Sequence, residues 1–382
     1  MKRALMMASV ASMISAFNRD NIKILQNMGY QVDIACNFEH GSDSSKERGI
    51  AYRKEVEDQS IKTYQLPVPR SILEVKGIIT SYRLMKKICE ENHYDIVHCH
   101  SPIGGVVARL ACRGERKNGT KVVYTAHGFH FYKGAPKKNW IVYYSIEKWV
   151  SRFTDLLITI NKEDYGRAQT FKAKRVVYIP GIGVDTGKFR NVEVDRIQKR
   201  IELKITEDTV VLLSIGELIE RKNHETALKA VSILNSTNYV YLICGEGKLD
   251  SYLNDLKVKI GIKNKVQFLG YRRDIPEICA VADIFIFPSY QEGLPVAVME
   301  AMSAGLPIIC SSIRGNTDLI KQELGGFLHQ PEDTVGLAQS IDKLINNPEI
   351  RKKMGDINSN EAYNYDKKNV NAIMGELYAS LV

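Results

Sequence analysis

Short, β-branched apolar runs alternate with longer amphipathic stretches along nearly the whole chain, a pattern satisfied by repeated strand-helix units joined into parallel sheets. In the first half the strands fall at residues 2–8, 31–36, 94–99, 121–126, 155–160 and 175–179. Helices are expected between them near 16–28, 72–92, 104–116, 138–153 and 162–171. A second series of strands falls at 209–215, 239–244, 265–269, 283–287 and 307–311. Its helices are expected near 223–235, 247–260, 273–281, 293–304, 315–322 and 334–346.

Between the two series, residues 181–207 carry glycines followed by a polar, charge-dense stretch without a clear apolar face, which reads as the interdomain crossing. The expected division is 1–187, 188–360 and a helical tail 361–382 whose apolar side, including Tyr363, Val370, Met374 and Leu377, returns to the first domain. At 382 residues the chain is long enough for two such domains, and its 44% hydrophobic and 25% charged residues exclude a disordered or collagen-like chain. Two doubly wound domains imply a cleft at the carboxyl ends of both sheets. No apolar run approaches the roughly 18 residues that span a bilayer, and the basic start of the chain reads as a first strand.

Seven cysteines without a Cys-x-x-Cys pair give neither a zinc knuckle nor a disulfide framework, and they suit a reducing compartment. Charge is distributed unevenly. Residues 1–200 hold 34 Lys and Arg against 20 Asp and Glu, whereas residues 201–382 hold 19 against 24. Such a basic half suits an anionic partner, nucleic acid or membrane.

The most informative segment runs Phe287-Pro288-Ser289-Tyr290-Gln291-Glu292-Gly293-Leu294-Pro295-Val296, then an apolar helix interrupted by Glu300. Pro295 is a favoured first-turn residue, so the backbone N–H groups of Gly293, Leu294 and Val296 are placed to bind hydroxyl or phosphate oxygens. A carboxylate on a buried helix is costly unless paired, so Glu300 meets either a structural cation or a ligand. Upstream, Gly216-Glu217-Leu218-Ile219-Glu220-Arg221-Lys222-Asn223 follows a strand. Fixed cations there suit a phosphoryl leaving group. Gly245-Glu246-Gly247 is a tight turn after a strand, without the third glycine of a dinucleotide fingerprint. In the first half, His127 lies at a strand end beside Gly128, with His130 close by, and His98-Cys99-His100 ends the preceding strand.

Glu292 and Glu300, set in Glu-Gly-Leu-Pro and Glu-Ala-Met, resemble the E-x7-E signature of glycosyltransferase family 4, a family of retaining enzymes with the GT-B fold. The resemblance implies two doubly wound Rossmann-like domains facing each other across a cleft. It implies that Glu292 lies by the donor sugar and that Glu300 holds the nucleotide ribose. Lys222 keeps the place of the family lysine. Glu217 stands where many members carry arginine, and Arg221 is the candidate for that second cation. By the same resemblance Gly245, Gly247, Tyr271 and Arg272 lie beside the nucleotide, Gly293, Leu294, Pro295 and Val296 line the donor, Arg314-Gly315-Asn316 completes its rim, and His127 contacts the sugar. His130 is a second candidate for that contact.

The family uses no metal, no Asp-x-Asp motif occurs, and no third ligand of suitable local spacing joins the His98-x-His100 pair, so no metal site is expected. No cofactor is expected beyond a UDP-sugar substrate. The stretch His127 to Pro136 with His98 to Gly105 resembles the subgroup serving bacterial exopolysaccharide and capsule synthesis, which implies a polyprenyl-diphosphate-linked acceptor.

Residues 101–150 carry nine Lys and Arg against two acids. Lys133, Lys137 and Lys138 with Trp140 are therefore expected to meet an anionic membrane from the cytoplasmic side. Other readings are a UDP-sugar 2-epimerase or sugar phosphorylase of the same fold, an inactive sugar-binding homologue, and a nucleic-acid-binding protein. The last leaves E-x7-E unexplained.

Overall fold

The computed structural model describes residues 1–40 and 43–381. The chain divides into two compact units, Met1–Ile182 with Lys368–Val382, and Gly183–Lys367. The divisions differ by several residues from the expected 187/188 and 360/361. The reason lies in hydrogen bonds: Val184 N donates to Tyr365 O (2.9 Å) and Lys367 N to Val184 O (2.9 Å), an isolated bridge that ties the two crossing segments together within the second unit.

The first unit is built on seven parallel strands. They are β1 (Lys2–Val10), β2 (Tyr30–Asn37), β3 (Thr63–Gln65), β4 (Ile96–His100), β5 (Lys121–Ala126), β6 (Leu156–Thr159) and β7 (Arg175–Tyr178), in the order β3-β2-β1-β4-β5-β6-β7. Helices on both faces cover a core that includes Leu5, Met7, Val97, Val122, Tyr124 and Leu157. The second unit has six, β8 (Val210–Ile215), β9 (Tyr239–Cys244), β10 (Val266–Gly270), β11 (Ile284–Phe287), β12 (Ile308–Ser311) and β13 (Gly326–His329), in the order β10-β9-β8-β11-β12-β13. Strands buried on both sides explain the uninterrupted apolar runs, such as Ile284 to Phe287 at 0–3% exposure.

Several elements depart from expectation. β3 is a three-residue edge strand of partly exposed residues. β13 opens with Gly326, where a Cβ would stand 1.7 Å from Ile308 O. The helix Asp43–Glu57 buries Tyr52 and Val56 beneath an otherwise polar sequence. The polar crossing also holds helices, Thr186–Arg190 and Arg196–Glu202. In the second of these the buried residues are charged: Lys199 Nζ lies 2.5 Å from Asp274 and 2.8 Å from Glu277, and Arg200 caps the Val281 carbonyl at 3.2 Å. Hydropathy periodicity is blind to such burial.

The tail is broken where one helix was expected. Pro348–Glu361 ends in a turn at Ala362–Tyr365, leaving Tyr363 52% exposed, and Lys367–Ala379 follows. Val370, Met374, Leu377 and Tyr378 of the last helix are buried, and its residues from Lys368 onward belong to the first unit.

Candidate active site

In the second unit the loop after β8 is fastened to the loop after β11 by Asn223. This residue adopts the left-handed conformation (φ 55°), which asparagine tolerates well. Its side-chain amide donates to Pro288 O (2.9 Å) and Pro331 O (2.8 Å), while Tyr290 N donates to Arg221 O (2.9 Å). That fastening fixes the three-residue turn Glu220–Lys222.

Lys222 Nζ and Arg221 Nη1 consequently meet one atom, Glu292 Oε1, at 2.8 and 3.0 Å. Arg221 also donates to Gln291 O (3.0 Å), and Arg314 Nε to Glu292 O (3.0 Å). The Lys222 ammonium stands 4.7 Å from the centre of the Phe287 ring. Two cations thus meet one carboxylate, leaving net positive charge at a partly exposed surface. That surplus is suited to anionic oxygens. Glu217, by contrast, is exposed and joins none of these contacts.

Glu300 differs from Glu292. It lies on the helix Val296–Ser303 among buried Val298, Met299, Ala301 and Met302. Its carboxylate has no hydrogen bond or ion pair within the described residues. Burial pushes its pKa up to about 7, partly opposed by Lys188. A carboxylate held there without a partner is a ready acceptor for ligand hydroxyls. At the start of the same helix, the N–H groups of Gly293, Leu294 and Val296 likewise have no acceptor among the described residues.

The glycines serve chain-to-chain contacts. A Cβ on Gly245 (φ 150°) would stand 1.9 Å from Gly216 O, and one on Gly247 2.5 Å from Leu218 O. Their close approach is thus to the backbone of the loop that carries Arg221 and Lys222. Tyr271 is 68% exposed. Arg272 is committed to Asp274 at 2.8 Å and Glu202 at 3.1 Å, so a ligand would have to share its guanidinium with two acids.

In the first unit, His127 is half-buried and accompanied by two buried histidines. His100 Nδ1 lies 3.1 Å from His127 Nε2, and the His98 and His100 ring centroids are 4.2 Å apart. His98 Nδ1 lies 2.6 Å from the Tyr378 hydroxyl and its Nε2 2.8 Å from Thr125 Oγ1. Burial lowers the pKa of His98 to about 3, with His127 adding to the effect, lowers that of His127 to about 4, and pushes His100 well below the ordinary range. The cluster is therefore neutral, and one His98 ring nitrogen donates while the other accepts, with the Tyr378 and Thr125 hydroxyls as their two partners. Among the described residues no group of three or more His, Cys, Asp or Glu is arranged to hold a metal ion. The His130 ring packs against Tyr143 at 4.8 Å between centroids.

Sequence reasoning placed Glu292, Glu300, Lys222 and Arg221 without their supports. Asn223 fixes the cationic turn, and His100 and His98 back His127. An asparagine directly after two cations, before a helix, was the available signal.

Two family models match the chain, "Glycosyl transferase 4-like" over residues 7–161 and "Glycosyl transferases group 1" over residues 195–360. The putative glycosyltransferase EpsD of Bacillus subtilis is 35% identical over 384 residues, covering 99% of this chain and 97% of that protein. An Escherichia coli enzyme named UDP-Gal:alpha-D-GlcNAc-diphosphoundecaprenol alpha-1,3-galactosyltransferase is 32% identical over 76% of this chain and 77% of its own length. Among solved structures, Anabaena HepE in complex with UDP superimposes with a TM-score of 0.79 over 100% of both chains at 20% identity. Two Rossmann-like units with these neighbours define the GT-B fold, and the chain is a sugar-transferring enzyme. The chain belongs to glycosyltransferase family 4.

Proposed function

We propose that the enzyme transfers a sugar, with retention of anomeric configuration, from a UDP-sugar to a saccharide carried on a polyprenyl diphosphate during cell-surface polysaccharide synthesis. The observation that carries this reading is the convergence of Lys222 and Arg221 on Glu292, with the unpartnered Glu300 carboxylate on the following helix. Further support comes from relatives named for acting on diphosphoundecaprenol-linked sugars, and from solved neighbours holding UDP or UDP-glucose. Likeness to transferases over nearly the whole chain favours transfer over the epimerase, phosphorylase and nucleic-acid readings.

In this scheme Glu300 accepts hydrogen bonds from the ribose hydroxyls, and the free amides of Gly293, Leu294 and Val296 face donor oxygens. Gly245, Gly247, Tyr271 and Arg272 border the nucleotide, and Pro295 fixes the start of the donor helix. Lys222 and Arg221 stabilise the departing diphosphate as the bond from the anomeric carbon to its oxygen breaks. The acceptor hydroxyl attacks the same face, and its proton passes to the departing phosphate oxygen, so no separate base is needed. By the family resemblance Glu292 and His127 orient the sugar. Burial keeps His127 neutral, which suits it to hydrogen bonding rather than charge stabilisation. The step requires no metal ion.

The protein is assigned to the cytoplasmic membrane surface. No helix among the described residues is long and apolar enough to cross a bilayer. The contact proposed is peripheral, through Lys133, Lys137 and Lys138. Trp140 itself packs beside Phe131 and Tyr144, under Arg167. The apolar side chains offered to lipid are instead Ile141 and Trp149, 72% and 45% exposed. Basic residues near an anionic surface contribute about 1 kcal/mol each. Screening a panel of UDP-sugars against short lipid-diphosphate saccharides, with product mass and anomeric configuration as readouts, tests the reading. UDP-sugar epimerised without acceptor would contradict it.

A further inference from the structure

The first unit holds a polar pocket at the carboxyl ends of β1 and β2, where Val10 and Asn37 are register partners. This is where doubly wound sheets bind ligands. Ser12, Ser15, Asn37, His40, Arg48 and Arg70 line it, and among the described lining residues there is no aspartate or glutamate.

Two rigid devices bring the arginines there. The helix Asp43–Glu57 touches the end of β2 through Gly49, where a Cβ would stand 2.0 Å from Phe38 O, and Arg48 precedes that contact. Arg70 ends the stiff sequence Pro67-Val68-Pro69, which is held by Leu66 N donating to Cys36 O (3.0 Å) and by Asn37 Nδ2 donating to Val68 O (3.5 Å).

Other arginines nearby are neutralised: Arg3 by Asp33, Arg19 by Glu55 and Arg53 by Glu57. Arg48 donates only to the Ser45 hydroxyl (3.4 Å), and neither Arg48 nor Arg70 has a carboxylate partner among the described residues. Two unneutralised guanidinium forks over one pocket, with hydroxyls and an amide beside them, match the oxygens of a phosphoryl group.

We infer that Arg48 and Arg70 grip the diphosphate of the lipid-linked acceptor, with the hydroxyl-lined remainder of the pocket receiving neutral polar groups next to it. The inference rests on the acceptor class proposed above, and it assigns that class a handle separate from the donor cations. A lipid diphosphate and free diphosphate share the recognised chemistry.

Geranyl diphosphate, inorganic diphosphate and UDP serve as probes, with dissociation constants measured by calorimetry on the full chain. Arg48→Gln and Arg70→Gln are each expected to weaken geranyl diphosphate roughly tenfold, and the double variant about a hundredfold, with UDP affinity unchanged. Both side chains are exposed, so the melting temperature should stay at the wild-type value. Arg70→Lys should recover only part of the loss, since an ammonium lacks the fork. Unchanged geranyl diphosphate affinity in the double variant, or an equal loss of UDP affinity, would overturn the assignment. Inorganic diphosphate bound as tightly as the ester, with transfer to a lipid-diphosphate acceptor unimpaired in both variants, would overturn the lipid source. These binding readouts need no turnover. A failure of the transfer reading, seen as no product with any UDP-sugar, is thereby distinguishable from a failure of this pocket.

Discussion

Lys222 Nζ and Glu292 Oε1 are 2.8 Å apart, and Arg221 Nη1 reaches the same oxygen at 3.0 Å. One carboxylate therefore holds two cations side by side while neutralising only one of them. Because Lys222 is largely enclosed and Arg221 is 40% exposed, the two should differ in weight. Lys222→Ala is expected to lower kcat by about 100- to 1000-fold, in the range of removing one preorganised charge stabiliser. Arg221→Ala should cost about a factor of ten less. Steady-state kinetics with saturating donor check both; wild-type turnover in Lys222→Ala would remove the leaving-group role.

Glu300 yields a pH prediction with a definite sign. Its folded pKa is raised, to about 7, by burial. Ligand-free protein thus gains stability from the protonated form at low pH and loses it as pH rises through 7. Glu300→Gln should accordingly be more stable than wild type at pH 8, by about 1–3 kcal/mol, and equal to it near pH 4. UDP affinity should move oppositely, falling in wild type as pH drops from 8 to 6 and losing that dependence in the variant. Thermal melting and UDP titration across this range provide the check.

Gly245→Ala tests the link between the two loops. A Cβ there would stand 1.9 Å from Gly216 O, so the loop bearing Arg221 and Lys222 must shift. Donor KM should rise at least tenfold, as sub-ångström misplacement of a charge stabiliser is costly. Gly119→Ala, at another positive φ but with open space around the added carbon, should leave KM unchanged.

In the first unit, Tyr378→Phe removes the hydroxyl bonded to His98 Nδ1 and leaves that buried nitrogen without a partner. The expected cost is about 1–3 kcal/mol in chemical denaturation. Affinity for UDP, whose proposed contacts all lie in the second unit, should not change.

The sheet framework was legible because strands buried on both faces write themselves as apolar runs; β5 and β9 fall on the residues expected. β3 and β13 were not, being three or four residues long at sheet edges. Helix Arg196–Glu202 escaped notice because its buried members, Lys199 and Arg200, are charged. At the site, Glu292, Glu300, Arg221 and Lys222 were visible since each lies in a short contiguous motif. Their supports were not, because the partners are remote in sequence. Asn223 meets Pro331 across 108 residues, and His98 meets Tyr378 across 280. Gly245 and Gly247 were readable as a tight turn, whereas the backbone that occupies the space beside them is a tertiary fact.

The most direct test of the account is product analysis by mass spectrometry and NMR after incubating the wild-type enzyme, without added metal, with a UDP-α-sugar panel and a lipid-diphosphate saccharide. The prediction is a product one sugar heavier with an α linkage, lost in Lys222→Ala. A β-linked product, a strict need for divalent cation, or equal product from Lys222→Ala would contradict it.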